Sequence, residues 1–149
     1  MERTAASRLA ARLTGARALV VALWAGSLWA VGYLAAPAVF AVVGSPVAGN
    51  VVGKMLTREA WLSMACAAIL LVLVRMAPEL DAGRKRLLNR LVLAMLALTL
   101  VNYFGLQPVI SALRGSGDRT TFLVMHGVSQ LVFVIESVLA AVLVVKNRP

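Results

Sequence analysis

Long stretches without a charged residue constrain this chain more than any other feature. No charged side chain occurs between Arg17 and Lys54, and three further apolar runs follow along the chain. Of the 149 residues, 61% are hydrophobic and 14% are charged, whereas a soluble domain carries about 25% charged residues. A transmembrane helix needs about 20 predominantly apolar residues. The sequence therefore predicts an all-α integral membrane protein, folded as a four-helix bundle.

The charged residues that interrupt the apolar runs set the predicted helix boundaries. The second run is short, so Lys54, Arg58 and Glu59 are expected in its first, interfacial turns, where long side chains can reach the headgroups. This interpretation makes the second helix the short or tilted one. The predicted helices lie at about residues 18–43, 54–75, 91–113 and 120–145, between a basic N-terminal arm at 1–17 and a tail at 146–149.

The distribution of basic residues predicts the orientation. Eleven of the fifteen Lys and Arg residues fall in the N-terminal arm, the middle loop and the tail, all on one side of the predicted bundle, and the other four lie on the opposite side. Basic residues concentrate on the cytoplasmic side of membrane proteins, which predicts that both termini are cytoplasmic, in a bacterial inner membrane. The net charge of +9 thus indicates topology and contact with the lipid bilayer. No nucleic-acid partner is expected.

The outer halves of the first and third helices resemble each other. The segments Val31–Pro37 and Val101–Pro108 each contain a Tyr followed four or five residues later by a Pro. This pattern is consistent with duplication of a helical hairpin. Kinks are expected at both prolines, because proline removes a helical hydrogen bond. The first helix also carries small residues at every fourth position, a spacing that permits close helix packing: Ala22, Gly26 and Ala30.

Polar residues within the third and fourth helices form the candidate functional site. Such groups have no water to bond with in the hydrocarbon core, so they must find a partner or line a cavity. At 100° per residue, the polar positions of the fourth helix share an arc of about 120°, which is expected to face the bundle. These positions are His126, Ser129, Gln130, Glu136 and Ser137. The third helix adds Asn102 and Gln107, at depths close to those of Gln130 and His126.

Two of these residues, Glu136 and His126, raise most of the functional question. Inserting a charged group near the middle of a span costs roughly 2.5–3.5 kcal/mol of free energy. Glu136 is therefore either a functional acid or a neutral carboxyl that is hydrogen-bonded to a neighbouring helix. His126 has three interpretations: a hydrogen bond between helices, ligation of a metal or haem, or proton handling. A single His cannot supply both axial ligands of a haem. Mixed ligation would then require Met125, Met64 or Cys66, or a second copy of His126.

Three segments carry a family resemblance: Leu23–Phe40, Asn102–Pro108 and Phe122–Ser129. They resemble a bacterial family labelled domain of unknown function 4149, whose members are small four-span membrane proteins similar to the transmembrane protein 205-like group. The resemblance implies the four-span fold and no established activity. The arrangement is more distantly similar to copper-resistance D-type proteins and haem-containing membrane protoporphyrinogen oxidases, which implies copper or haem. Those oxidases place a His in the first span, where this chain has none.

Three classes of function stay open at this point. The favoured interpretation is a non-enzymatic accessory protein, or a bundle that handles a small solute or ion on the polar face of helices three and four. The alternatives are a haem- or copper-binding redox protein that uses His126, and a purely structural subunit of a larger membrane complex. A homo-oligomer or a partner membrane protein is expected. The chain contains no P-loop, nucleophile elbow or zinc-protease motif, which argues against an enzyme.

Overall fold

The computed structural model describes residues 2–114 and 117–148, and every regular secondary-structure element among these residues is a helix. The first span consists of α1 (Glu2–Trp29), a π-helical segment (Ala30–Ala35) and α2 (Ala36–Val42). The second span is α3 (Ser45–Met76). The third span consists of α4 (Ala82–Leu100), a second π-helical segment (Val101–Leu106) and α5 (Gln107–Leu113), and the fourth span is α6 (Arg119–Lys146).

The spans run alternately up and down the bundle. Among the described residues, four helices are long and apolar enough to cross a bilayer. Neighbours in the chain pack side by side, and α6 returns to α1, so the spans form a closed ring. Residues 14–17 of α1, residues 77–81 and the end of α6 meet at what we call the terminal end. Residues 43–44 and 117–118 lie at the opposite, loop end.

The apolar core occupies the half of the bundle nearer the terminal end. Its largest fully buried side chains include Trp24 and Leu28 from the first span, Leu70 from the second, and Leu88 and Met95 from the third. Many other large apolar side chains are exposed on the outer surface of the spans. This distribution is that of an all-α membrane bundle, which has lipid as the solvent for its outer face.

The helices extend beyond the predicted boundaries. α1 begins at Glu2, so the predicted arm continues the first span as helix, and residue 1 lies outside the described part of the chain. The second span has 32 residues and is not short. α4 begins at Ala82 because the Asp81 side chain accepts a hydrogen bond of 2.9 Å from the Arg84 amide, the usual role of an N-cap. Apolar periodicity alone does not detect helix that projects beyond the hydrocarbon.

Each π-helical segment ends two residues before a proline. Pro37 and Pro108 lack the N–H that would bond to the carbonyls of Tyr33 and Phe104, four residues earlier. Both of those residues lie inside the π-helical segments, where the backbone register changes. The outer halves of the first and third spans thus share a local geometry. In that geometry, the position equivalent to Tyr33 is Phe104 and not Tyr103. Duplication of a hairpin stays a prediction.

The stripe of small residues on the first span faces away from the bundle. Ala22, Gly26 and Ala30 are exposed, while Trp24 and Leu28 are buried. A Cβ added at Gly26 would meet no atom within 4 Å. The large side chains on the opposite face fill the core and therefore determine which face of this helix points into the bundle. Close packing through the stripe stays a prediction about contacts outside this chain.

Candidate functional site

Two glutamates are buried between the spans near the middle of the bundle. Glu59 on α3 is 8% exposed, and Glu136 on α6 is 3% exposed. Both line one cavity of about 30 Å³, which Thr99, Asn102 and Tyr103 also line. No Lys, Arg or His is found among the described residues around this carboxyl cavity. Acids placed inside a membrane without a basic partner are costly and are by default a functional hypothesis.

The prediction that Glu59 lies in an interfacial turn is wrong. Lys54 and Arg58 are exposed, but Glu59 lies about 100° further around the helix and turns into the bundle. On α3 it shares the buried face with Ser63 and Leu70. The helical spacing of Glu59 from these core positions was the signal that could have revealed it.

A hydrogen-bonded chain holds Glu59 in place. The indole Nε1 of Trp24 donates to Ser63 Oγ at 2.7 Å, and Ser63 Oγ donates to Glu59 Oε1 at 2.6 Å. A hydroxyl has one proton to donate and lone pairs to accept, so Ser63 uses both capacities. The chain fixes the position of one carboxyl oxygen and ties the first span to the second.

Glu136 has a different partner. Thr99 Oγ1 lies 2.6 Å from Glu136 Oε1 and 3.1 Å from the carbonyl oxygen of Met95. A hydroxyl carries a single proton. If Thr99 donates that proton to the Met95 carbonyl, its contact with Glu136 is a hydrogen bond only when the carboxyl of Glu136 is protonated and donates to Thr99. The site can therefore hold an exchangeable proton between the third and fourth spans. The next residue, Ser137, is also buried, and its Oγ has no hydrogen-bond partner within the described chain.

A second cavity, of about 140 Å³, adjoins the carboxyl cavity on the side of the loop end. We call it the vestibule. It is lined by Arg114, by apolar and glycine residues, and by five of the predicted site residues: Asn102, Gln107, His126, Ser129 and Gln130. The two cavities share four lining residues: Leu56, Asn102, Gln107 and Phe133. The walls between them are thus a few side chains thick.

The structure divides the predicted site between these two cavities. Ser129 is buried, and its Oγ donates to Asn102 Oδ1 at 2.7 Å. His126 and Gln130 line the vestibule but are exposed, and the His126 ring stacks on Phe122 with centroids 5.8 Å apart. Glu136 lies deeper, in the carboxyl cavity. Residues on one helical arc differ in burial here because the apolar core fills the bundle nearer the terminal end, whereas the vestibule lies between the spans nearer the loop end.

The side chains around His126 do not fit a haem or copper site made by one chain. Apart from His126, the vestibule is lined by amides, a hydroxyl, a guanidinium and apolar groups. Met64 and Cys66 do not line it, and Cys66 is buried in the apolar core. Across the residues that the structure describes, no three His, Cys, Asp or Glu side chains come together as a metal site.

A second polar cluster lies at the terminal end. Arg17 is 1% exposed, its Nη1 lies 2.8 Å from Glu79 Oε1, and its Nε donates to Asn147 Oδ1 at 2.6 Å. Thr14 donates a further hydrogen bond to Glu79. Partial burial alone would raise the pKa of Glu79, but hydrogen bonds from its own backbone, Arg17 and Thr14, together with the Arg17 charge, hold this pKa below its ordinary value. The count of basic residues had assigned Arg17 to topology alone.

The fold and the site together define a class: an all-α membrane bundle of four spans with two carboxyl groups buried between them. A model of the family described as Domain of unknown function (DUF4149) matches residues 19–119, and the chain belongs to this family. The predicted family is thereby confirmed. Neither the curated proteins nor the solved structures gave a match. The matched region contains Glu59 and Thr99, whereas His126 and Glu136 follow it.

Proposed function

We propose that this protein binds and exchanges a proton within the membrane, at the carboxyl pair of Glu59 and Glu136. The observation that carries the proposal is the burial of both carboxyls against one small cavity, with no basic side chain among its described lining residues. Intramembrane acids of this kind are typical of proton and ion pathways. A cavity of about 30 Å³ has room for about one or two waters, which favours a proton over a hydrated cation.

Access from the loop end supports the proposal. The vestibule shares Asn102 and Gln107 with the carboxyl cavity, and His126 lines the vestibule. An imidazole can both donate and accept a hydrogen bond, so His126 is suited to pass protons. The apolar core around Leu70 and Met95 fills the bundle on the opposite side of the pair. We therefore expect the pair to be loaded from the loop end.

Charge supports an orientation for this route. Eleven of the fifteen Lys and Arg residues belong to segments at the terminal end, which supports a cytoplasmic position of that end by the positive-inside rule. In a bacterial inner membrane, the vestibule then faces the outside. A reporter fused to the C-terminus should be active only in its cytoplasmic form, and activity restricted to the outside would contradict the orientation.

Infrared spectroscopy in H₂O and D₂O tests the proton-binding step. The carbonyl stretch of a protonated carboxyl shifts when its proton exchanges for deuterium. We expect the wild-type protein in nanodiscs to show an exchangeable carboxyl band that is removed or altered by Glu59→Gln and Glu136→Gln. Ser137→Ala is the matched control, since it changes a buried neighbour on the same helix whose hydroxyl has no partner in the described structure. An exchangeable carboxyl band that is unchanged in both single variants contradicts the proposal.

Proton uptake into proteoliposomes under an imposed membrane potential tests whether the pair has a role in transport. We expect Glu136→Gln to reduce uptake to the level of protein-free vesicles, and Ser137→Ala to behave as wild type. Unchanged uptake in Glu136→Gln removes this acid from the mechanism. The absorption spectrum and metal content of the same preparation test the alternative class, because a Soret band or stoichiometric copper would favour a redox protein.

A further inference from the structure

A groove at the terminal end combines positive charge with exposed apolar surface. It has a volume of about 380 Å³ and lies between the start of α4 and the end of α6. Its charged lining residues are Arg84, Lys146 and Arg148, and its apolar ones are Leu87, Leu88 and Val145. Acidic side chains are absent from the described residues that line it. This composition suits a ligand that is anionic at one end and apolar at the other.

Arg84 organises the groove. Its Nη2 donates to the backbone carbonyls of Lys146 and Arg148, so the guanidinium holds the end of α6 against α4. Carbonyls at a helix C-terminus carry partial negative charge, and Arg84 offsets it at the point where an anion would otherwise be repelled. Lys146 and Arg148 are themselves exposed. Their side chains are therefore available to an anion.

The apolar side of the groove is continuous with the outer face of the spans. Leu87 is 41% exposed and Val145 is 55% exposed, each within one turn of a basic lining residue. Arg84 is in the first turn of α4 and Lys146 is the last residue of α6, so the cations lie where the helices leave the hydrocarbon. A phosphate at this level would have its acyl chains alongside Leu87 and Val145.

We propose that this groove binds the headgroup of an anionic phospholipid, with the phosphate on Lys146 and Arg148 and the acyl chains along the third and fourth spans. Basic pockets between transmembrane helices are suited to such headgroups. The exposed apolar flank favours a lipid over a free anion, because a free phosphate gains nothing from it. The site is independent of the carboxyl pair.

Lipid binding measured by native mass spectrometry tests this proposal. The probes are phosphatidylglycerol and the zwitterionic phosphatidylcholine, added to the full chain in detergent. Each basic residue near a membrane surface contributes about 1 kcal/mol, so the double variant Lys146→Gln/Arg148→Gln should weaken phosphatidylglycerol binding by about thirty-fold. Phosphatidylcholine binding should be weak for both proteins.

The double variant Arg86→Gln/Arg90→Gln is the matched control. It removes the same charge from exposed residues near the same end of the bundle, outside the groove. Because salt screens charges that do not contact the lipid, we expect phosphatidylglycerol binding to weaken less than about threefold. Equal losses in the two double variants would show diffuse attraction only and overturn the site. Displacement of the lipid by millimolar inorganic phosphate would show a free-anion site and overturn the lipid assignment.

Discussion

The two ends of this bundle are built from the same four helices but are held together differently. At the terminal end, Arg17 bonds to Glu79 and Asn147, Arg84 bonds to the end of α6, and Lys85 Nζ donates to the carbonyl of Arg75. At the loop end, one such bond joins Ser129 Oγ to Asn102 Oδ1, and Gln107, His126 and Gln130 line the vestibule. Polar side chains thus hold the helices together at the terminal end, whereas most of those at the loop end line a cavity between the helices.

The π-helical segments help to explain why the loop end is open. Both lie in the half of their span nearer the loop end, directly before Pro37 and Pro108. Gly32 of the first segment lines the vestibule, and Asn102 and Tyr103 of the second line the carboxyl cavity. A proline and a changed register prevent regular helix packing there. Such segments occur frequently at functional sites.

Breaking the closed end should produce the largest effect. Glu79→Ala leaves the buried Arg17 guanidinium without its ion-pair partner. We expect a loss of about 2–3 kcal/mol in the free energy of unfolding in detergent, at or below the lower end of the range for a fully buried pair, because the Glu79 side chain is 30% exposed and Asn147 still bonds to Arg17. Glu79→Gln keeps an oxygen acceptor and should lose less. Wild-type stability of Glu79→Ala would contradict the role of this cluster.

The same ion pair predicts an acid dependence of stability. The pKa of Glu79 is lower in the folded protein than its ordinary value, so the unfolded chain takes up the proton first as pH falls. The contribution is complete above the unfolded pKa of about 4.3 and is lost as pH falls through the folded pKa. Unfolding measured from pH 7 to pH 3 should show this loss in the wild type. An unaltered acid slope in Glu79→Gln would contradict it.

The side chains that separate the two cavities offer a second test, at the loop end. A Cβ added at Gly32 would lie 2.0 Å from Cζ of Phe133, so Gly32→Ala must displace a ring that lines both cavities. We expect a loss of about 1–3 kcal/mol from overpacking and faster hydrogen–deuterium exchange of the carboxyl pair. Gly32→Ala combined with Phe133→Leu should recover stability and keep the faster exchange. Slower exchange in the single variant would contradict this view of the wall.

The helix caps give the smallest effect and compare the ends directly. Asp81 caps α4 at the terminal end, and Asp118 caps α6 at the loop end by accepting from the Thr121 amide at 3.0 Å. Asp81→Ala should cost about 1 kcal/mol. Asp118→Ala should raise amide hydrogen exchange over residues 119–123, because residues 119–121 are exposed, whereas Arg84 and Lys85 bond the first turn of α4 to other helices. Equal increases at the first turns of α4 and α6 would contradict the contrast between the ends.

Much of the architecture was predictable from local pattern. The four apolar runs identified four spans. Kinks were predicted at Pro37 and Pro108, and the structure has a π-helical segment that ends two residues before each proline. The boundaries were predicted less well, since α4 starts in a basic segment and α3 includes Lys54 and Arg58. Hydrophobicity reports where a helix meets lipid. It does not report where the hydrogen-bonded helix begins.

The site was predictable only in part. The spacing on α6 placed His126, Ser129 and Gln130 on one arc with Glu136, and depth placed Asn102 and Gln107 beside them. The structure adds Glu59, which lies beside two basic residues in the sequence and therefore resembled a headgroup contact. It also separates His126 from Glu136, because His126 lines the vestibule and Glu136 lines the carboxyl cavity.

The sequence by itself determined that this chain is an all-α membrane protein with four spans, because apolar segments of this length satisfy their backbone hydrogen bonds in lipid by forming helices. It also determined the family. Only the tertiary structure decided which charged groups enter the bundle: Arg17 pairs with a residue 62 positions away, and Glu59 faces Glu136 across a cavity. The physical reason is that burial of a charge depends on partners from other helices, which local periodicity does not contain.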